Sequence, residues 1–423
     1  MTDTLTTLAD LRAGRLAGAT RLDLRHTGLA EFPREIFALA DTLEFLDLSG
    51  NALHALPDDF DRLHALRTLF CSNNAFTGLP AVLGRCARLD LVGFKANAIE
   101  HVPADALSPN LRWLILTGNR VAEMPATLAR CTRLRKLALA GNRLAALPAG
   151  IGRCESLELV RLSANRFESV EDALPGGLLA LPRLAWLAVA GNPFNAAQEA
   201  AAMRSMPIAQ IGWHRLRVGA LLGEGASGFI HAARWHGDDG NGNGGAPVAV
   251  KLFKGEMTSD GLPASEMAAC IAADAHAHLI DVEGQVAGHP QGVQGLVMRL
   301  IPPGYRSLAG PPSLESCTRD VYADGTRFTA ARAREIALGM RAALAHLHAR
   351  GLLHGDFYAH NILVDDRHHA LLGDFGAASF LPEDDAARAE ALMRIDRRAL
   401  AILADELAQR CDEPAALDEL RLA

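Results

Sequence analysis

Gly223, Gly225 and Gly228 fall in the stretch Leu-Gly-Glu-Gly-Ala-Ser-Gly-Phe-Ile, between two runs that alternate like strands. Such a turn can bring its backbone close over phosphate oxygens, although a flexible hairpin has the same composition. A dinucleotide fold is disfavoured, because a strand pattern rather than a helix follows the glycines. Lys251 ends the next strand pattern, Val-Ala-Val-Lys. Lysine occurs at only 95, 136, 251 and 254, while arginine supplies the other 38 of the 42 basic residues, so a lysine on an apolar strand stands out. A buried ammonium needs an anionic partner. Glu266, the single acid in the helical stretch Ala-Ser-Glu-Met-Ala-Ala-Cys-Ile-Ala-Ala, would supply it and hold the ammonium against phosphates. Farther on, Asp356 precedes Asn361 by five residues, and Asp374 opens an Asp-Phe-Gly after another apolar run.

The elements that must position these groups begin after Gly212, where strand patterns take over (HRLRVGALLG, GFIHAARW, APVAVKLFK). An apolar strand, GLVMRLIPP, precedes the amphipathic helix TAARAREIALGMRAALAHLHARG, and then come LLHGDFYAHNILVDD and HHALLGDFGAAS. The order resembles that of the protein kinases over about 213–410, with Gly355 in place of the usual Arg before the loop aspartate. The resemblance implies that Gly223, Gly225 and Gly228 cover the phosphates of ATP and that Lys251, held by Glu266, contacts them. It implies that Asn361 and Asp374 bind Mg and that Asp356 accepts the proton of the substrate hydroxyl. Ile230, Ala249 and Leu363 would sandwich the adenine, with Met298 behind it and the backbone around Leu300 reading its edge. His354 would be the structural histidine of the loop.

The chain departs from the family in three places. Only 22 positions separate Asp374 from Asp396, the residue resembling the helix aspartate that anchors the loop, and no Ala-Pro-Glu lies between them. The remaining residues to Ala423 leave no room for the last helices of a full lobe. Tyr358 stands where serine/threonine kinases usually carry a lysine. The expected activity is an ATP- and Mg-dependent protein kinase acting on Ser or Thr. The alternatives are a silent pseudokinase scaffold and a small-molecule kinase.

The first half repeats one template, L-x-x-L-x-L-x-x-N-x-L-x-x-L-P. Its asparagines are Asn51, Asn74, Asn97, Asn119, Asn142, Asn165 and Asn192, in steps of 23, 23, 22, 23, 23 and 27, with Thr27 in a degenerate first copy. Eight units over about 16–195 resemble a leucine-rich repeat horseshoe, each unit a short strand and a turn that buries its apolar face only against its neighbours. Cys86, Cys131 and Cys154 share one repeat position and should stack as a buried ladder. Phe45, Leu91, Trp113 and Trp186 fall on the outward strand positions, and we expect an accessible row there that binds a protein partner, the alternative being stacking between repeats.

The fold expected is multidomain: an α/β leucine-rich repeat solenoid over 1–206, then an α+β two-lobed kinase-like fold with a truncated C-lobe over 213–423. A net charge of -7 gives no electrostatic reason for nucleic-acid or anionic-membrane binding. No apolar run spans a bilayer, and the first residues, MTDTLTTLAD, lack the basic and then apolar pattern of an export signal. Seven cysteines without a Cys-x-x-Cys fit reduced thiols, and the expected location is the cytoplasm.

Overall fold

Each repeat asparagine closes the turn after its strand by bonding backbone on both sides. In a computed structural model, which describes residues 4–205, 208–225, 227–237, 245–255, 257–258 and 260–421, Asn119 shows the pattern. Its Nδ2 donates to the carbonyls of Phe94 and Leu116, each at 2.9 Å, and its Oδ1 accepts from Ile99 N–H at 3.0 Å. Asn51 does the same with Leu24, Leu48, Thr27 and Leu29. These bonds satisfy buried backbone that no strand partner reaches. Pro207, in the expected linker, and the domain ends Met1, Met206 and Ala423 lie outside the described residues.

The chain divides into two compact units, one running to Leu184 and taking in Asn192–Phe194, the other holding Ala185–Gly191 and the chain from Asn195 onward. In the first, after helix α1 (Thr4–Arg12), parallel strands β1 (Arg21–Asp23), β2 (Phe45–Asp47), β3 (Thr68–Phe70), β4 (Leu91–Gly93), β5 (Trp113–Ile115), β6 (Lys136–Ala138) and β7 (Leu159–Arg161) pair in sequence order. Their central residues Leu22, Leu46, Leu69, Val92, Leu114, Leu137 and Val160 align in register and are all buried. Pro33, Pro80, Pro125 and Pro148 each lead into a short 3₁₀ helix on the opposite side, where proline's fixed φ suits the entry. A single turn, α2 (Val170–Ala173), is capped by Ser169, whose hydroxyl accepts from Asp172 N–H.

The row Phe45, Leu91, Trp113 and Trp186 is not the accessible surface expected of it. Leu91, Trp113 and Trp186 are at most 6% exposed, and Phe45 is half-buried. Parallel strands less than about 5 Å apart set in-register side chains against one another. Leu91 lies in register between Thr68 and Trp113, Lys136 Nζ sits 4.9 Å from the Trp113 ring centroid, and the Arg21 guanidinium covers the Phe45 ring at 3.5 Å.

The cysteine ladder is buried. Each thiol donates to a carbonyl: Cys86 to Val82, Cys131 to Ser108 and Cys154 to Leu128. Burial pushes Cys86 and Cys154 up to about 12 and Cys131 to about 11. Because the thiolate is the nucleophile, these three should resist iodoacetamide in the folded protein at neutral pH and react in denaturant. Peptide mass mapping checks this, and rapid labelling of any of the three in the native state would refute the ladder.

The second unit opens with β8 (Trp186–Ala188), helix α3 (Pro193–Ser205) reaching into it, and β9 (Gln210–Gly212). Its main sheet joins β9 to β10 (Leu216–Glu224), β11 (Gly228–Trp235), β12 (Ala246–Phe253), β13 (Val282–Ala287) and β14 (Gly295–Arg299), in the order β10-β11-β12-β14-β13-β9. One face buries Ile211, Leu216, Val248, Val250, Val286 and Val297. The other packs Phe253 and Leu296 on Met267 and Ile271 of α4 (Pro263–Ala273), which starts with proline at its first position. Two long helices form the rest: α5 (Ala330–Ala349), capped by Thr329, and α6 (Ala386–Ala408), capped by Asp385. Between them run the short strands β16 (Leu352–Leu353), β17 (Ile362–Val364), β18 (Ala370–Leu372) and β19 (Ser379–Phe380), with β15 (Arg306–Ser307) pairing with β17. A last turn, α7 (Asp418–Arg421), follows α6. The fold is thus a leucine-rich repeat solenoid followed by a kinase-type α+β domain.

Candidate functional site

Strand β12 alternates its side chains so that Val248 and Val250 enter the apolar core while Ala249 and Lys251 face the other way. Cross-strand partners share a face, so Ile230 opposite Lys251, Met298 opposite Ala249 and Leu296 opposite Lys251 join that side of the sheet. Helix α4 brings Glu266 to the same side, and Lys251 Nζ makes an ion pair with Glu266 Oε1. Both side chains are nearly buried. Burial alone would lower the Lys251 ammonium, but the charges of Glu266 and Asp374 outweigh it and hold it above its ordinary value. Burial pushes the Glu266 carboxyl up, Lys251 opposes this, and Asp374 adds to it. A Cβ placed on Gly376 would lie 3.1 Å from Asp374 Oδ1 and 3.9 Å from Glu266 Oε2, so the two carboxylates flank one small space that glycine keeps open.

The turn between β10 and β11 brings Gly225 N–H to the carbonyl of Gly228 at 2.9 Å. Ala226, inside the motif, lies outside the described residues. A side chain at Gly228 would strike the Leu252 carbonyl at 2.5 Å, whereas Gly223 and Gly225 have nothing within 4 Å of a Cβ. One glycine is demanded by packing, and the other two border open space. Lys254, which sequence reasoning passed over, ties the turn down by donating to Glu224 Oε1 at 2.7 Å and to the Gly225 carbonyl at 3.0 Å.

The loop from His354 to Asn361 hangs on a buried carboxylate. Asp396 of α6 accepts from His354 N–H at 2.9 Å and Gly355 N–H at 3.0 Å, with His348 Nε2 also 3.0 Å away. His354 accepts from Asp356 N–H through Nδ1 and reaches the Gly373 carbonyl through Nε2, which fixes its tautomer and links the Asp356 loop to the Asp374 loop. Asn361 Nδ2 donates to the carbonyl and to Oδ2 of Asp356, at 3.0 and 3.1 Å. Asp374 is exposed at φ +56°, with Oδ1 accepting from Gly376 N–H. Leu363 on β17 and Leu300 beyond β14 are both half-buried.

A second pair, between this loop and Asp320, carried no sequence signal. His360 donates from its backbone and pairs through Nδ1 with Asp320, at 3.1 and 2.7 Å. Burial works against a charged ring, yet the bond to Asp320 and the charges of Asp320, Asp356 and Asp374 hold His360 above its ordinary value. The other histidines bond mostly to backbone, as His278 does to Ala370 and His346 to Ala273. Among the described residues no three His, Cys, Asp or Glu side chains converge as a metal site. Asn361 and Asp374 offer hard oxygen donors, the type Mg takes when phosphates and water complete its shell. The residues present fit that ion.

The family described as protein tyrosine and serine/threonine kinase matches residues 216–408, and the leucine rich repeat family matches residues 18–76. CBL-interacting protein kinase 22 of Oryza sativa subsp. japonica is 30% identical over 179 residues, covering 40% of this chain and 38% of that protein. Leucine-rich repeat-containing protein 58 of Homo sapiens is 36% identical over 102 residues, covering 23% of this chain and 28% of that protein. The chain thus spans well under half the length of these relatives. Among the described residues no helix is long and apolar enough to cross a membrane.

Proposed function

Because this chain carries leucine-rich repeats ahead of a protein kinase domain, we propose that it transfers the terminal phosphoryl group of ATP to a Ser or Thr of a protein that the repeats recruit. The observation that carries the reading is the convergence of Lys251, Glu266 and Asp374 beside a loop in which Asn361 fixes Asp356. Lys251, oriented by Glu266, binds phosphate oxygens, and the glycine turn lays its backbone over them. Asp356 orients the acceptor hydroxyl and takes its proton on a carboxylate oxygen. Asn361 and Asp374 would hold Mg, which neutralises charge on the transferring group. Ile230, Ala249, Met298 and Leu363 line the adenine's place, and the backbone near Leu300 reads its edge. The repeats to about residue 206 serve recruitment and 213–423 catalysis. Seven cysteines, none of them in a disulfide, suit a cytoplasmic site of action.

The test is transfer of labelled phosphate from ATP to proteins of a cell lysate, followed by phosphoamino-acid analysis. Asp374→Ala should lower transfer by roughly 10²–10³, the scale of losing one preorganised charge contact. Nucleotide binding without labelled product in the parent would overturn the reading in favour of a scaffold, and a labelled metabolite in place of protein would point to a small-molecule kinase.

Activity should not depend on phosphorylation between Asp374 and α6. Ser379, the one hydroxyl residue there, lies 3% exposed in β19, paired with Leu353. Gly355 offers no guanidinium to clamp a phosphate. Phosphatase treatment and Ser379→Ala should each leave turnover at the parent level; a tenfold drop in either contradicts this.

A further inference from the structure

Trp186, first residue of β8 and part of the second unit, is 1% exposed, and it packs on the loop that carries Asp356. Its Nε1 donates to the Phe357 carbonyl at 2.9 Å, and its ring stacks on Tyr358 with centroids 4.3 Å apart and planes within 2°. The next residue continues the contact, Leu187 N–H donating to the Gly355 carbonyl at 2.9 Å. Two residues of one short strand therefore hold the loop on both sides of Asp356. The fit explains the glycine found where the family has arginine. Gly355 sits at φ +72°, and a Cβ there would lie 2.3 Å from the Leu187 carbonyl oxygen and 3.0 Å from that of Ala377. No side chain enters that space. The Arg319 guanidinium, 5.2 Å from the Trp186 ring centroid, adds a cation–π contact to the stack.

We infer that Trp186 is a positioning residue for phosphoryl transfer: with Leu187 it braces the loop around Asp356, so that the carboxylate is oriented without an activation-segment phosphate. The inference rests on the kinase reading above and adds to it where the orientation comes from. Tyr358, at the position where a lysine is usual, serves as the platform the brace stacks on. The effect is one of orientation, so it falls on turnover and spares nucleotide affinity, since the side-chain contacts of Trp186 are with Phe357, Tyr358 and Arg319.

The experiment compares the full chain with Trp186→Ala and Trp186→Phe, reading kcat, KM for ATP and amide hydrogen exchange. For Trp186→Ala we expect kcat to fall by about tenfold or more with KM changed less than about twofold, the pattern of lost orientation. Amides of 354–361 should exchange about tenfold faster while those of 246–253 and 263–273 hold at the parent rate, as for a local opening. Trp186→Phe keeps the stacking and loses the donor, so it should recover part of kcat. Unchanged kcat in Trp186→Ala overturns the inference, as does faster exchange spread over the whole second unit. If Trp186→Ala does not fold, Trp186→Phe decides, and parental kcat and exchange in that variant overturn the inference. A parent chain that transfers no phosphate refutes the kinase reading, while the brace then stands or falls on exchange at 354–361 alone.

Discussion

Lys251→Met should lose about 10²–10³ in kcat and, separately, acquire a melting temperature that falls as pH rises. The first effect follows from removing the one ammonium aimed at the phosphates, a loss on the scale of a single preorganised donor. The second follows from what is left behind. Glu266 is only 3% exposed, and its carboxyl is already pushed up by burial, with Asp374 adding to that and Lys251 opposing it. Without the ammonium, only the weaker hydrogen bond from Ser227 still opposes burial and Asp374, so its folded pKa climbs further above its unfolded one. Such a group favours the folded state below the unfolded pKa and loses that contribution as pH rises. The Tm deficit relative to the parent should therefore be smallest near the unfolded carboxylate pKa of about 4.3 and grow as pH rises above it, bounded by the roughly 3–5 kcal/mol of an uncompensated buried charge. Adding Glu266→Gln should flatten the pH dependence without restoring kcat. Melting curves across that range, run beside ATP turnover, decide the matter; a deficit independent of pH, or one that the second substitution leaves in place, would show that Glu266 is not the group responsible.

Much of this site was legible because its residues lie in short local segments whose spacing is set by local geometry. A strand ending in Lys251, a helix holding one acid and a loop from Asp356 to Asn361 are each written within a few residues, and the structure brings Lys251 and Glu266 together as an ion pair. The asparagine ladder was readable for the same reason, since each Asn bonds the turn of its own repeat and the neighbouring one. The outward row fits either a binding face or stacking between repeats in sequence, and it is the second that holds: in-register stacking of Thr68, Leu91, Trp113 and Lys136 removes most of their area from water. The bond from Trp186 to Phe357 joins positions 171 residues apart, a separation that no local pattern encodes. Strand β9 is hidden likewise: three residues pair in parallel with β13 across a separation no local pattern encodes. Lys254 was visible as a rare lysine, but its partner Glu224 could be assigned only once β10 and β12 were seen to flank β11 in the sheet.

Asp396→Ala should destabilise the second unit by about 3–5 kcal/mol and remove catalysis along with it, although Asp396 is 40 residues from Asp356 in sequence and is not expected to touch substrate. Its side chain is fully buried, and both oxygens are used: Oδ2 accepts from His354 N–H and lies against His348 Nε2, while Oδ1 accepts from Gly355 N–H. Alanine leaves two backbone donors and an imidazole nitrogen without their acceptor in a site closed to water, at about 1–3 kcal/mol for each buried group left unsatisfied. Relaxation of the loop would recover part of that sum, which is why the expected loss is smaller than the total. The relaxation is also the route to inactivity, because the residues that move are the two that precede Asp356. Asp396→Asn separates the contributions. It preserves shape and one acceptor, but turns an NH2 toward a backbone N–H, so it should cost about 2 kcal/mol, between the parent and alanine. Urea unfolding monitored by circular dichroism measures both variants, and the m-value should stay at the parent figure if the fold is otherwise intact. Turnover measured where each variant is still folded should fall in the order parent, Asn, Ala. A loss below about 1 kcal/mol for Asp396→Ala would mean that water replaces the carboxylate without difficulty, and the loop would then owe its conformation to other contacts.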